Sequence, residues 1–239
     1  MNRLFLLFVL LCLPGALIAQ QEIGLNYQEI DHKRLHFGFT IGMNTMDFKV
    51  APTMNQIGAA EMVVPELNVL SPGIHVAAVS SLKLLEDLHL RFLPGITLGQ
   101  RAVLFYRGKT EGNKVLDKEM TIESTFVDMP LLLKYSSVRL ENFRPYLLGG
   151  INLRYDMARN KDFDEDEGIY VKLKPMDLCY ELGFGVDWYL PYFKLSTEIK
   201  YSVGILNVAS SAQAVEEPEY ANALESLHSR LFMVSFHFE

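Results

Sequence analysis

The chain has 239 residues, a formal net charge of −7 and a hydrophobic fraction of 49%. The acidic balance argues against a nucleic-acid-binding protein, which would need a basic face. No helical periodicity follows the first 19 residues, which predicts one all-β domain without linkers, internal repeats or low-complexity segments.

The first 19 residues have the pattern of a secretory signal peptide. Met1-Asn2-Arg3 supplies a positive start, an apolar run covers 4–13, and Ala19-Gln20 offers a small-residue cleavage point. The run is too short for a transmembrane helix, and no later segment approaches 18 consecutive apolar residues. We therefore expect 1–19 to be a signal peptide and 20–34 a periplasmic N-terminal segment. Any membrane crossing must then use a closed β-barrel.

Eight segments with alternating apolar and polar side chains follow, and a period of two predicts β-strands. The clearest covers 177–188, where the even positions are large and apolar and the odd positions are small or charged. A membrane barrel turns its apolar face to lipid and a soluble barrel turns it inward, so alternation alone leaves both open. The predicted strands are 35–48, 72–83, 87–100, 121–135, 144–156, 176–189, 193–206 and 229–238.

The lengths of the connections separate these two classes of barrel. Connections after the second, fourth and sixth strands are short, whereas the other four are long and cover 49–71, 101–120, 157–175 and 207–228. This regular alternation is typical of outer-membrane barrels, and the chain closes on the aromatic segment 236–238. We therefore predict that 35–239 form an eight-stranded antiparallel up-and-down transmembrane β-barrel in the outer membrane, with short periplasmic turns and long extracellular loops.

Four aromatic residues cluster at the short turn between the sixth and seventh predicted strands: Trp188, Tyr189, Tyr192 and Phe193. Tyr and Trp are enriched where a membrane protein meets the headgroup region. We interpret the cluster as part of an aromatic girdle. The alternative is that these are core aromatics at a hairpin.

The predicted lumen face carries many charged residues, although an eight-stranded barrel is narrow and its interior is filled by side chains. Because both signs occur in similar number and buried charges must pair, we expect an ion-pair network that leaves no pore. A conduction path or a proton relay is the alternative. The candidate lumen residues are His89, Arg91, Asp128, Lys134, Arg154, Glu181, Asp187, Lys194, Glu198 and Lys200.

Two features with possible chemistry receive structural interpretations. Cys179 lies on the lumen face and is interpreted as a small filler rather than a nucleophile. The acidic segment 162–168 resembles the start of a calcium loop but lacks the downstream bidentate Glu, so we interpret it as a solvated loop. The alternative is that it binds divalent cations, which would bridge it to lipopolysaccharide phosphates.

A lipid-modifying barrel enzyme would need a nucleophile with a base and an orienting acid. The residues that could supply a pair lie on the second and third strands, without a Gly-x-Ser-x-Gly context. They are Ser80, Ser81, His75 and His89. We predict that the protein is not an enzyme and has no catalytic, cofactor-binding or metal-binding residues.

Three stretches resemble known outer-membrane barrels. Residues 126–135, Phe-Val-Asp-Met-Pro-Leu-Leu-Leu-Lys-Tyr, and 144–150, Arg-Pro-Tyr-Leu-Leu-Gly-Gly, resemble a motif pair of small Bacteroidetes outer-membrane β-barrels. Residues 35–48, preceded by Asp31-His32-Lys33, resemble the first strand of the PorT family, called SprT in gliding bacteria. The resemblance extends from about Tyr27 to the C-terminus.

The PorT resemblance implies a component of the type IX secretion system, which exports cargo proteins across the outer membrane. A filled barrel cannot pass a folded cargo, so we expect an assembly or scaffolding role with the four long loops as contact surfaces. The expected partners are outer-membrane lipid, lipopolysaccharide and other secretion-system proteins. The alternatives are a structural or adhesive barrel without a secretion role and the lipid-modifying enzyme.

Overall fold

The computed structural model describes residues 24–27, 30, 33–52, 56–57, 61–67, 71–108, 114–157, 173–208 and 224–239. The expected signal peptide and the acidic segment 162–168 lie outside the described residues. No helix among the described residues is long and apolar enough to cross a membrane.

The described chain forms eleven β-strands in a single sheet, and every neighbouring pair is antiparallel. The strands are β1 (Leu35–Pro52), β2 (Gln56–Ile57), β3 (Glu61–Leu67), β4 (Ser71–Lys83), β5 (Leu88–Phe92), β6 (Gly95–Gly108), β7 (Lys114–Ser136), β8 (Phe143–Asp156), β9 (Met176–Tyr189), β10 (Lys194–Gly204) and β11 (Leu224–Phe238).

The sheet closes into a ring because β1 pairs with β11 on one side and with β4 on the other. Phe39 lies opposite Phe238 of β11 and opposite Ala78 of β4. Strands β3 and β4 share one neighbour, since both pair with β6. Strands β5 and β6 share two neighbours, since both pair with β4 and with β7. We therefore count β3 with β4 as one element of the wall, and β5 with β6 as another. The ring therefore has eight wall elements, as predicted from the eight alternating segments.

The side chains of the wall are apolar outside and polar inside. On β9, Leu182 and Phe184 are exposed, whereas Glu181 and Asp187 are buried; on β1, Phe37 is 69% exposed. An apolar outer surface of this extent is unfavourable in water and is the surface that a membrane-spanning barrel presents to lipid. The prediction of an inverted, lipid-facing barrel is confirmed.

Three of the predicted loops are partly strand, which corrects the loop boundaries 49–71, 101–120 and 207–228. Strand β1 continues to Pro52, β6 continues to Gly108 and β7 begins at Lys114. Beyond the lipid neither face of a strand has to be apolar, so the period-two pattern that located the strands fades there. Much of the predicted loop 157–175 lies outside the described residues.

Strands β6 and β7 extend the wall past β8 at the end opposite the short turns. Strand β7 has 23 residues, although about 9–11 suffice to span a membrane. Its pairing with β8 begins at Phe126, so among the described residues 114–125 pair with β6 alone. Strand β11 begins at Leu224, inside the predicted loop 207–228, and pairs there with β1. This end therefore carries a raised hairpin of β6 and β7.

The aromatic cluster at the β9–β10 turn is divided between the two faces. Trp188, Tyr192 and Phe193 are exposed on the outside, as a girdle requires, whereas Tyr189 is only 3% exposed. Tyr189 occupies an odd position of β9 and so points to the same side as Asp187. The girdle interpretation was therefore wrong for Tyr189.

Candidate functional site

The interior of the ring is filled by charged side chains that interact in layers. Nine of the ten predicted lumen residues are buried, and the tenth, His89, is half-buried at the short-turn end. Because successive side chains of a strand alternate in direction, each inward position adds one group to the lumen.

The lower lumen network, nearest the short turns, is centred on Arg91. Its guanidinium donates to Glu198 Oε2 at 3.1 Å and to Glu239 Oε1 at 2.8 Å, and Lys194 Nζ lies 2.6 Å from Glu239 Oε2. The hydroxyl of Tyr146 donates to Glu198 at 2.9 Å. Two cations and two carboxylates thus balance within one connected network.

A second ion pair lies beside this network and is independently neutral. Lys134 Nζ donates to both oxygens of Asp187, at 2.8 and 2.6 Å, and the Ser196 hydroxyl donates to the same carboxylate at 2.6 Å. The Lys134 ammonium also lies 3.7 Å from the centre of the Tyr146 ring. Both partners are almost fully buried. Because each contacts the opposite charge of the other, neither buried charge is left without compensation.

The middle lumen network is built around Asp128. This carboxylate accepts hydrogen bonds from Arg154 Nε at 2.7 Å, Asn152 Nδ2 at 2.9 Å and the Thr97 hydroxyl at 2.5 Å. Asn152 also donates to Glu181 at 2.8 Å. Lys200 lies 2.8 Å from Glu181, which gives this network two cations and two carboxylates.

The end of the lumen opposite the short turns holds Arg101. Its guanidinium donates to Asp156 at 2.9 Å and to the Ser124 hydroxyl, and it lies against the rings of Phe48 and Phe126, 4.3 and 4.8 Å from their centres. A planar cation stacked on aromatic rings excludes water while its charge is paired with a carboxylate. This arrangement places a buried, paired cation at that end of the described lumen.

Buried apolar side chains pack beside the charged networks. Leu93, Leu132 and Leu148 form one buried cluster, and Phe126 and Met233 belong to another. Together with the networks they fill the lumen, which supports the ion-pair interpretation over an open conduction path.

Among the described residues, sequence reasoning missed four lumen charges: Arg101, Asp156, Asp177 and Glu239. All four are buried or held in buried ion pairs. Asp156 and Asp177 are inward positions of strands that were predicted correctly, so the alternation already contained the signal. Arg101 and Glu239 each lie one residue past a predicted strand end.

The mouth at the short-turn end is covered by the N-terminal segment. Ile30 is 3% exposed, and its carbonyl accepts a hydrogen bond from His36 Nε2 at 2.7 Å. Further back, the backbone N–H of Asn26 donates to Asn142 Oδ1 at 2.8 Å in the β7–β8 turn. Below Ile30 lies a cavity of about 20 Å³. Its lining includes His36, Ser81, His89, Lys134, Ser136, Asp187 and Lys194.

The candidate enzyme residues do not form a catalytic pair within the described chain. His75 bonds to the Thr97 hydroxyl at 2.8 Å, and Nδ1 of His89 is buried without a hydrogen-bond partner. Ser81 faces the lumen, whereas Ser80, its neighbour on β4, occupies an outward position. Cys179 is fully buried, as a filler would be, and the described residues contain no cluster of three or more metal-ligating side chains.

A family model described as "Outer membrane protein beta-barrel domain" matches residues 18–210, most of the chain. The chain belongs to this family. Its closed ring, apolar outer wall and filled lumen are thus those of a small outer-membrane β-barrel, and the protein resides in the outer membrane. The short-turn end accordingly faces the periplasm and the raised end the exterior.

Solved outer-membrane proteins show a distant likeness. Neisserial surface protein A (NspA) is 9% identical, with 86% of this chain and 98% of that chain covered and a TM-score of 0.43. OprG of Pseudomonas aeruginosa is 11% identical, with 85% and 91% covered and a TM-score of 0.38. Ail of Yersinia pestis is 11% identical, with 86% and 99% covered and a TM-score of 0.39. No curated protein matches the chain.

Proposed function

We propose that this barrel is a non-conducting scaffold of the type IX secretion system, of the PorT (SprT) type. It assists export of cargo proteins by contacting other components of the system and is not itself the conduit. The protein has no catalytic role in this proposal. Outer-membrane lipid and lipopolysaccharide surround its apolar wall.

The observation that carries the scaffold role is the filled lumen. Each of the lumen networks is neutral within itself, and breaking one would leave a charge buried without a partner. A passage for a protein chain would require all layers to separate. A barrel of this kind acts on secretion through its outer surfaces.

The secretion assignment rests on the first strand, 35–48, and on the pair 126–135 and 144–150, whose sequences resemble PorT and its superfamily. All three segments lie in the wall, on β1, β7 and β8. The raised β6–β7 hairpin supplies an extracellular surface for partner proteins, where 114–125 have a free edge on the β8 side among the described residues.

The test is a gene deletion followed by outer-membrane fractionation and a proteome of the culture supernatant. Loss of the protein is expected to trap cargo bearing the type IX C-terminal signal in the periplasm, and the intact gene is expected to restore export. Normal export from the deletion strain would contradict the secretion role and leave the structural or adhesive barrel.

The same strain also tests the contact surface. Ala102 pairs with Thr121, so 103–120 can be replaced by Asn-Gly, which closes a two-residue hairpin in the existing register. The trimmed chain is expected to fold but not to restore export. A matched control changes the periplasmic turn instead, at Tyr192→Ser. Full rescue by the trimmed chain, with folding verified by heat-dependent migration on gels, would exclude this hairpin as the contact surface.

An enzymatic role would require a reacting pair at the mouth, where Ser81 and His89 line the same cavity. Ser81→Ala and His89→Ala in the complemented strain should leave the lipid A and phospholipid profiles unchanged. A changed profile in both variants would favour the lipid-modifying enzyme over the scaffold.

A further inference from the structure

The N-terminal segment crosses the periplasmic opening from one side of the ring to the other. At one end, Asn26 contacts the β7–β8 turn and the carbonyl of Tyr189 on β9. At the other end the segment enters β1 at Leu35. Since β8 is four wall elements from β1 in either direction of the ring, the two described ends of the segment, at Asn26 and Leu35, lie on opposite sides of the mouth.

The far end of the segment is held by a set of hydrogen bonds to the β7–β8 turn. Arg139 Nη2 donates to the carbonyl of Asn26 at 2.5 Å, and Asn142 Nδ2 donates to the carbonyl of Gly24 at 3.2 Å. The Arg139 guanidinium also lies 3.6 Å from the centre of the Tyr189 ring. Side chains of the turn thus clamp the backbone of the segment.

The middle of the segment places one apolar side chain into the mouth. The N–H of Ile30 donates to the carbonyl of Tyr27, and the N–H of Lys33 donates to the carbonyl of Ile30. Tyr27 has a φ of 46°, a left-handed conformation that non-glycine residues adopt infrequently. These bends bring Ile30 into contact with the mouth cavity, and its residual exposure is 3%.

The polar groups under Ile30 can form hydrogen bonds with water. His36 Nδ1, His89 Nδ1 and Ser136 Oγ are buried there without a hydrogen-bond partner. The cavity of about 20 Å³ has room for about one water molecule. Opening the mouth would hydrate all three groups, which offsets part of the cost of moving Ile30 into water.

The segment is also attached less firmly than the wall. Among its described residues the backbone bond to the wall is from the Lys83 N–H to the carbonyl of Arg34, at the entry to β1. The other hydrogen bonds named here involve side chains, of Asn26 to the Tyr189 carbonyl, of His36 to the Ile30 carbonyl, and of the turn residues to the far end. Such contacts open at lower free energy than a strand ladder.

We propose that the N-terminal segment, through its described residues 24–27, 30, 33 and 34, is a strap that closes the periplasmic mouth of the barrel, with Ile30 as its stopper. Release of the strap exposes the mouth cavity to the periplasm. The layers above the cavity stay filled when the strap opens. The strap thus controls access to the mouth and not passage through the barrel, and it does so whether or not the barrel serves secretion.

The test uses a single cysteine at Ser136, which is 1% exposed and lines the cavity. Ser136→Cys is placed in the full chain with Cys12→Ala and Cys179→Ser, and its reaction with a small charged methanethiosulfonate is timed. Two opening variants are added separately: Arg139→Ala with Asn142→Ala, which removes the clamp, and Ile30→Gly, which removes the stopper. Lys33→Ala, at an exposed strap residue, is the matched control.

The expected result is slow labelling with the intact strap and with Lys33→Ala, and labelling at least about tenfold faster in both opening variants, because several hydrogen bonds or the buried side chain are lost. Heat-dependent migration on gels verifies that each barrel is folded. If the clamp variant fails to fold, Ile30→Gly still decides the question. Equal rates in folded Ile30→Gly and in the intact chain, or fast labelling of the intact chain, would overturn the strap.

Discussion

At the scale of single residues, the stability of the barrel depends on whether each buried charge has a partner of opposite charge. Lys134 and Asp187 are each almost fully buried and face each other at 2.6 Å, whereas Asp87, the partner of Arg144, is half exposed. Removing one partner of a buried pair leaves a charge that the lumen cannot solvate, while an exposed partner is replaced by water. Removing one partner of the Lys134–Asp187 pair therefore costs more folding free energy than removing Asp87 from Arg144, although the two pairs have similar geometry.

Lys134→Met is expected to lower the free energy of unfolding by about 3–5 kcal/mol, and Asp87→Asn by no more than about 1 kcal/mol. Urea-dependent unfolding in lipid vesicles measures both. The double variant Lys134→Met with Asp187→Leu should recover much of the loss, because it leaves no unpaired charge. A small effect of Lys134→Met alone, comparable to that of Asp87→Asn, would show that the lumen is hydrated and not filled.

Individual residues also show which features the sequence predicts and which it does not. Alternation correctly placed Glu181 and Asp187 in the lumen because facing follows from position along a strand. Alternation could not identify their ion-pair partners, since Lys200 and Lys134 come from other strands. Whether these side chains meet depends on the register of the strands around the ring. Tyr189 was misassigned because its type suggested the girdle although its odd position indicated the lumen.

At the scale of elements, strands were predictable where they lie in lipid and less so beyond it. Strand β9, which alternates over its whole length, was predicted with its bounds intact. Strand β7 was predicted seven residues short at its start, because 114–120 contain four charged residues and no clean alternation. The strap had no periodic signal at all, since its position follows from side-chain contacts with a distant turn.

The outward aromatics near the periplasmic turns form a girdle that can be located experimentally. These residues are Phe37, Tyr135, Phe143, Trp188, Tyr192 and Phe193. Trp188 is the one tryptophan of the chain, so its fluorescence reports this site alone. It is 44% exposed, and its indole N–H donates to the Thr197 hydroxyl at 3.2 Å.

In vesicles of brominated lipids, Trp188 fluorescence is expected to be quenched more by bromines near the headgroups than by bromines at the chain ends, because amphipathic rings lie at the interface. Trp188→Phe provides the baseline. Quenching by aqueous iodide without any quenching by either lipid would place Trp188 in water and contradict the girdle.

At the scale of the whole molecule, the described chain is a closed ring whose outside is apolar and whose inside contains several charge-balanced polar networks. The fold class, the location and the pairing of buried lumen charges could be argued from alternation, connection lengths and charge balance. The raised β6–β7 hairpin and the strap could not, because both depend on contacts outside the lipid, where one face no longer has to be apolar. The proposed scaffold role follows from the combination of a filled interior with these surfaces at the two ends.

The most direct test of the filled barrel is the current across a planar lipid bilayer into which the full chain has been reconstituted. The lumen networks and the stacked Arg101 predict a current indistinguishable from that of the protein-free bilayer, at either polarity. Reproducible ohmic steps that appear with the folded protein and vanish when it is heat-denatured would contradict a filled lumen, and with it the scaffold account.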